Sequence, residues 1–312
     1  MKIAFLVDPL SGFKIYKDST FAMMAEAHKR GHSIYAFEQK DMAIHSGTVT
    51  ADVARIVLTG EQKNWYRSEP TQAMELQKFD AIILRKDPPF DMEYIYVTYL
   101  LELAQAQGAR VFNKPQAVRS HNEKLTIAQF PQFITPTLVT SSTDRLRAFH
   151  REHKIIILKP LDGMGGTGVF KVNEDGMNLG SIIETLTDNG ARTIMAQRYI
   201  PEIVAGDKRI LLIGGAVVPY CLARIPQGDE IRGNLAAGGN GVAQPLSSRD
   251  MEIASALAPT LAERGLLLVG LDVIGNYLTE VNVTSPTCFQ EIAQQTGFDV
   301  AGMFIDAIEN SH

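Results

Sequence analysis

The 312-residue sequence predicts an α/β protein: an open sheet with crossover helices, followed by antiparallel strand pairs joined by glycine-rich loops. Two observations carry this reading. Through residue 113, short apolar runs alternate with a stretch of helical period, the strand–helix–strand order of a sheet covered by helices. From Asn122 onward, dense β-branched runs are separated by glycine pairs, which read as hairpins.

The elements follow in order. KIAFLV (2–7) ends at Asp8-Pro9 and reads as a buried strand and turn. Phe21, Met24, Ala25 and His28 fall at i, i+3, i+4 and i+7, a helix face closed by Gly31. SIYAF (33–37) is a second strand, and AIILR (81–85), a helix over 92–107 and ARVFN (109–113) repeat the unit. HKIIILKP (153–160) and GVFKV (168–172) are strands on either side of a glycine loop. A helix over 179–187 and a strand at TIMAQRY (193–199) follow. KRILLIGGAVVPYCLARI (208–225) is split by Gly214-Gly215 into a hairpin, and residues 226–241 are glycine-rich and without period. A helix over 248–263 should be kinked or loosened by Pro259. LLLVGLDVIG and YLTEVNV (266–283) form a last hairpin before terminal helices. Trp65 lies in a polar region with no assignable element.

Composition excludes several classes. With 45% hydrophobic residues the chain can bury an enzyme-sized core, and its length suggests about two domains or one large one. Thirty basic against 35 acidic residues give a charge of −5, which offers no global attraction to nucleic acid or an anionic membrane. Cys221 and Cys288 stand far apart, so neither a disulfide framework nor a zinc site is supported. The first residues lack a cleavage site, and no apolar run approaches the ~18 residues of a membrane span, so a cytoplasmic protein is expected.

Gly163, Gly165 and Gly168 satisfy GxGxxG, but a dinucleotide fingerprint needs a helix after the loop, and here VFKV follows. A glycine loop between strands can still cover a phosphate, with Lys159 just ahead of it; the alternative is a flexible hairpin tip beside a solvated lysine. No GxxxxGK[ST] occurs. Asp272, Glu280 and Asn282 offer hard oxygen ligands of the kind magnesium takes, or else line the solvent face of an edge strand. Glu280 and Asn282 share a face, being two apart. A two-residue turn at Gly275-Asn276 would put Asp272 on the opposite face. The metal reading therefore requires an odd, three-residue loop with a bulge.

Several long segments together resemble the ATP-grasp ligases, most closely bacterial glutathione synthetases: RKDPPFD (85–91), NKPQ (113–116), NEKL (122–125), LKPLDGMGGTGVF (158–170), PYCLARIPQGDEIRGNLAAGGNG (219–241) and EVNVTSPTC (280–288). The resemblance covers nearly the whole chain. It implies an N-terminal open α/β domain (1–121), a central α+β lid (122–200) and a C-terminal domain with the magnesium site (201–312), ATP being held between two sheets. By resemblance, Lys124, Lys159 and Asp207 belong to the nucleotide site, with Gly163, Gly165, Gly166 and Gly168 closing over phosphates. Gln197, Tyr199 and Ile200 hold the adenine. Arg209 and Lys159 are the catalytic cations. Asp272, Glu280 and Asn282 are the metal ligands, for two magnesium ions with manganese able to substitute.

The same resemblance assigns Lys17, Asp18, Ser19 and Arg85 to the dipeptide site, and Ser285 and Thr287 to the second substrate. It adds Arg224, Arg232 and Asn234 as substrate contacts, with Ile225–Gly241 as a lid loop. Asn240 departs from the arginine expected there. The implied reaction joins γ-glutamylcysteine to glycine through an acyl phosphate, in a homo-oligomer, a tetramer by resemblance. Kept beside it are a D-alanine–D-alanine or peptide-tail ligase, a non-catalytic ATP-binding module, and a dehydrogenase, which the strand after Gly168 disfavours. Cys288 is read as a buried structural thiol, and His28 and His121 as surface or helix-packing residues rather than catalysts.

Overall fold

The computed structural model describes residues 1–228, 232–233 and 238–311. The first sheet begins with β1 (Lys2–Leu6), α1 (Ser19–Lys29) and β2 (Ser33–Phe37). It continues through β3 (Met42–His45), β4 (Thr48–Leu58), β5 (Tyr66–Ser68), β6 (Gln72–Glu75), β7 (Ala81–Leu84), α2 (Met92–Ala106), β8 (Val111–Phe112) and α3 (Pro115–Ser120). Its order is β3-β4-β2-β1-β7-β8, with β5 and β6 also on β4. The centre, β2-β1-β7-β8, is parallel. In β1, Ile3 and Phe5 face one core while Ala4 and Leu6 face the other, so the strand is buried on both faces and reads as a continuous apolar run.

Two differences from the sequence reading occur here. The sequence did not disclose β3–β6: β4 joins β2 antiparallel, and β3, β5 and β6 each pair antiparallel to β4. Trp65 leads into β5 and is buried against Phe13, Phe21 and Tyr66. In α1 the buried face is Thr20, Met23, Met24 and Ala27, one residue round from the expected stripe, and His28 is exposed. The Asp18 carboxylate caps the helix by accepting from Phe21 N–H at 2.8 Å, which fixes its start.

The second sheet contains β9 (Thr137–Thr140), α4 (Thr143–His153), β10 (Ile156–Pro160), β11 (Phe170–Val172), α5 (Leu179–Thr187) and β12 (Ile194–Arg198). Its order is β11-β10-β12-β9 and it is antiparallel throughout. Ile156 and Leu158 bury against Leu146 and Ile183 of the helices, so Ile157 and Lys159 point the other way.

The third sheet contains β13 (Asp207–Ile213), β14 (Ala216–Ile225), β15 (Asn240–Pro245), α6 (Ser248–Glu263), β16 (Leu268–Ile274) and β17 (Tyr277–Asn282), followed by α7 (Phe289–Thr296) and α8 (Val300–Asn310). Its order is β15-β14-β13-β16-β17. Asn240 opens β15, paired with Ile225, rather than lying in an irregular loop. Helix α6 runs unbroken through Pro259 because that residue is exposed, so the carbonyl of Ser255 that loses its donor faces solvent. The first and third sheets share both apolar cores, and buried Asn113 stitches them, bonding Leu268 N–H, Leu268 C=O and Val283 C=O at 2.8–2.9 Å.

Candidate active site

The second and third sheets enclose a cleft of about 330 Å³. Strand alternation builds it. Lys159 and Ile157 reach it from β10 and Gln197 from β12. From the third sheet come Asp207 and Arg209, two apart on β13, Arg224 opposite Asp207, and Glu280 and Asn282 of β17.

The β16–β17 register corrects the expected loop. Ile274 pairs with Tyr277, so the turn at Gly275-Asn276 has two residues. The register then slips by one residue at Thr279, and Asp272 pairs with Glu280. The two carboxylates share a face because of a bulge inside the ladder rather than an odd loop. The bulge also has a use: Thr279 O accepts from Lys159 Nζ at 3.3 Å, tying the two sheets across the cleft.

The buried charges form a compact network. Asp272 accepts from Arg209 Nε at 2.5 Å and Nη2 at 3.1 Å, and Arg224 Nη2 lies 2.8 Å from it. Arg224 Nη2 also reaches Asp207 at 2.5 Å. Burial raises the Asp272 carboxyl, but the flanking guanidinium groups overcome it and hold the group well below the usual carboxylate range. Asp207 is pushed up to about 7 by burial, against the pull of Arg224 and with Asp272 adding to the rise. Gly270 is beneath Arg209: a Cβ there would stand 2.9 Å from Arg209 Cδ and 3.0 Å from Pro286 Cβ. Gly270→Ala is therefore expected to destabilise the protein by about 1–3 kcal/mol and to lower turnover by displacing the guanidinium; denaturant unfolding and steady-state rates check both.

Lys124 pairs with Glu280 at 3.0 Å and donates to Gly163 O. The glycine loop spans the nine residues between β10 and β11, with no helix after it, as its context required. Gly165, Gly166 and Gly168 take positive φ of 62°, 82° and 73°. Gly163, Gly165 and Gly166 line the cleft, while Gly168 backs onto Pro160. Tyr199 and Ile200 line its far end, and Gln197 Nε2 is held by Thr137 Oγ1 at 3.0 Å. Arg232 reaches Gly166 O at 3.3 Å. Asn234 lies outside the described residues. Burial pushes the Lys159 ammonium down to about 8.

Ser285 and Thr287 line the cleft; Lys17, Asp18, Ser19 and Arg85 do not. Asp18 is spent on the α1 cap, and Ser19 Oγ accepts from Phe289 N–H at 3.2 Å. Arg85 Nε donates to Thr20 Oγ1 at 3.0 Å, and its buried Nη1 has no partner among the described residues. The sequence reading missed Glu123, Asp87, Thr279 and Gly270. Glu123 Oε1 accepts from Val283 N–H, Thr284 N–H and Thr284 Oγ1 at 2.8, 3.1 and 2.9 Å, anchoring the segment that carries Ser285. Asp87 and Glu123 lay inside the quoted RKDPPFD and NEKL, so their signal was a carboxylate within a motif.

The donor set suits a hard divalent cation. Among the described residues, Asn282 Nδ2 is spent on Gly270 O at 3.2 Å while its Oδ1 accepts nothing, and Glu280 keeps Oε2 beyond its bond to Lys124. Asp272 Oδ1 retains a lone pair beyond Arg209 Nε. Two carboxylates and an amide leave positions for phosphate oxygens and water.

A cleft between two antiparallel sheets, covered by a glycine loop and faced by lysine, arginine and carboxylate, defines the class as ATP-grasp ligase. Solved structures of such ligases share the fold. D-cycloserine synthetase is 15% identical with TM-score 0.67, covering 98% of both chains. A Chryseobacterium gregarium ATP-grasp ligase associated with a ribosomal peptide is 16% identical with TM-score 0.67, over 99% of this chain and 97% of its own. Residues 1–119 match the prokaryotic glutathione synthetase N-terminal domain and residues 123–297 its ATP-grasp domain. Glutathione synthetases of Ralstonia nicotianae and Neisseria meningitidis serogroup A are 65% and 58% identical, over 100% and 99% of this chain and 96% and 98% of theirs. This chain belongs to the prokaryotic glutathione synthetase family, and it is an ATP-dependent ligase.

Proposed function

We propose that the protein joins the cysteinyl carboxylate of γ-glutamylcysteine to glycine, with ATP converted to ADP and phosphate. The observation that carries this reading is one cleft in which Lys159 of the second sheet and Lys124 meet Arg209, Arg224, Glu280 and Asn282 of the third. A carboxylate is a poor acyl donor until its oxygen becomes a good leaving group. Transfer of the γ-phosphoryl group makes an acyl phosphate, which the amine attacks. The chain's part is positioning and charge neutralisation. Lys124 and Lys159 face the phosphates under the Gly163–Gly166 turn, and Arg209 meets the phosphoryl group in transfer. Tyr199 and Ile200, with Gln197, seat the adenine. Asp207, paired with Arg224, belongs to the nucleotide side.

Asp272, Glu280 and Asn282 would hold magnesium, two ions by resemblance or manganese in their place; when bound, the metal shields phosphate oxygens. Arg85, with its unpartnered Nη1, suits a substrate carboxylate beside Lys17, Asp18 and Ser19. Arg224, Arg232 and Asn234 complete the dipeptide contacts, and Ser285 and Thr287 hold glycine. We read the three sheets as three units with boundaries near 121 and 200, in a cytoplasmic homo-oligomer, a tetramer by resemblance. The apolar outer face of α2, where Met92, Tyr96, Tyr99 and Leu103 are exposed, supports a second copy there. No helix of the described residues is long and apolar enough to cross a membrane.

Phosphate release measured with ATP, magnesium, γ-glutamylcysteine and glycine, each omitted in turn, tests the reading. Release should need all four, with glutathione confirmed by mass; release without γ-glutamylcysteine would point to another acid. A further consequence concerns Lys159. Phosphates favour its charged form, so ATP binding above about pH 8 should take up a proton, and affinity should fall by up to about tenfold per pH unit there. Calorimetry in buffers of different ionisation enthalpy reads the uptake, which Lys159→Met should abolish.

A further inference from the structure

The four parallel strands of the first sheet run in the order β2-β1-β7-β8, so the connection reverses direction between β1 and β7. In open α/β sheets the crevice beyond the carboxyl ends at such a reversal is where ligands bind. Here those ends lead into Asp8 and into Arg85-Lys86-Asp87. Asp87 N–H donates to Asp8 Oδ2 at 2.9 Å, which holds the second turn against the first, and Lys86 Nζ lies 3.7 Å from Asp8.

Asp87, with Pro88, thereby enters a cleft walled mainly by the other two sheets. It lines that cleft beside Ser285 and Thr287, and its Oδ1 accepts from Ser285 Oγ. Among the described residues, the other carboxylates lining the cleft are already committed. Glu280 pairs with Lys124, Asp207 with Arg224, and Glu123 holds two backbone N–H groups and a hydroxyl. Among the described residues Asp87 makes no ion pair within 4.0 Å, and beyond the Ser285 contact of its Oδ1 it keeps a carboxylate oxygen open beside the hydroxyls read as the amine site.

Glycine arrives as an ammonium, which cannot attack a carbonyl until it loses a proton. We propose that Asp87 is a catalytic residue that binds the ammonium of the amine substrate and accepts its proton; this rests on the ligase reading above. One N–H proton passes to the Asp87 carboxylate and then to solvent. The freed lone pair forms the C–N bond at the acyl carbon, and the C–O bond to phosphate breaks. A second proton leaves the new ammonium for the departing phosphate, giving the amide and HPO₄²⁻. Ser285 orients the carboxylate, and a preference for an amine that arrives charged follows from an anion placed to receive its cationic end.

Hydroxylamine isolates this role, because it is uncharged at neutral pH and needs neither an ammonium site nor a base. Asp87→Asn, Asp87→Glu and the unaltered enzyme would be given ATP, magnesium and γ-glutamylcysteine with either amine. For Asp87→Asn we expect kcat/KM for glycine to fall about 10²-fold while hydroxamate formation stays within about threefold, with Asp87→Glu recovering part of the loss. The retained hydroxamate activity also reports a folded, carboxylate-activating enzyme. Glycine use within about threefold of the unaltered enzyme would overturn the proposal. So would an equal loss with both amines, which would place Asp87 in activation or in loop structure. An unaltered enzyme that forms no hydroxamate from γ-glutamylcysteine would instead remove the ligase reading, and this proposal with it.

Discussion

Lys159→Met is expected to lower turnover by about 10²-fold or more without unfolding the protein. Lys159 is 8% exposed, and burial already costs its ammonium enough to bring the pKa down to about 8. Among the described residues its hydrogen-bond partner is one carbonyl, Thr279 O, with Glu280 as the strongest attracting charge. A cation kept in so dry a place with so little compensation is held for a ligand. Methionine matches its stem and removes the desolvated charge, so the free protein should lose no stability and is expected to gain some. Turnover under saturating substrates together with thermal unfolding of the free enzyme checks the pair. Near-normal turnover in a folded variant would remove Lys159 from phosphoryl transfer.

Asp272→Asn should act in the opposite way on stability. The carboxylate is 2% exposed and satisfies two guanidinium groups. Arg224 would keep Asp207, but Arg209 would be left buried without a countercharge, a loss of about 3–5 kcal/mol. The deficit should depend on pH with a definite sign. Because the folded pKa lies below the unfolded value near 3.8, the Asp272 contribution is complete above that value and fades as pH falls below it. Urea unfolding should therefore show a large gap between variant and parent at neutral pH and a narrowing gap in acid. Turnover should fall together with magnesium affinity, since the amide lacks the charge for both roles. A variant as stable as the parent at neutral pH would contradict this account of the network.

The apolar strands β1, β2, β7, β10, β13, β14, β16 and β17 were legible in the sequence, as were the residues on them. Ile156–Pro160 shows its alternation, so Lys159 was readable as the odd residue out on an apolar strand. The glycine loop was correctly separated from a dinucleotide fingerprint by the strand after it. The strands β3, β5 and β6 escaped because three or four residues are too few to show a period; β4, eleven residues long with Val49, Ala51 and Val53 alternating inward, was overlooked, and Trp65 gives no sign that its partners are Phe13 and Phe21.

The register of Asp272 shows a different limit. Loop length sets register only if no residue is inserted further along, and nothing in YLTEVNV marks Thr279 as the inserted one. Asp87 and Glu123 are ordinary carboxylates in sequence. Their distinction lies in what surrounds them: Glu123 among backbone donors, Asp87 at the reversal of the strand order. Such context is a property of the assembled chain.

The central claim is that the carboxylate is activated by taking the γ-phosphoryl group, and isotope transfer tests it most directly. γ-Glutamylcysteine carrying oxygen-18 in both oxygens of its cysteinyl carboxylate would be turned over with unlabelled ATP and glycine, and the released phosphate examined by mass. In an acyl phosphate the bridging oxygen comes from the carboxylate and departs with the phosphoryl group. Phosphate carrying one labelled oxygen per turnover is the expected result. Unlabelled phosphate released alongside labelled glutathione would show that phosphate never joined the carboxylate, and would contradict the mechanism proposed for this cleft.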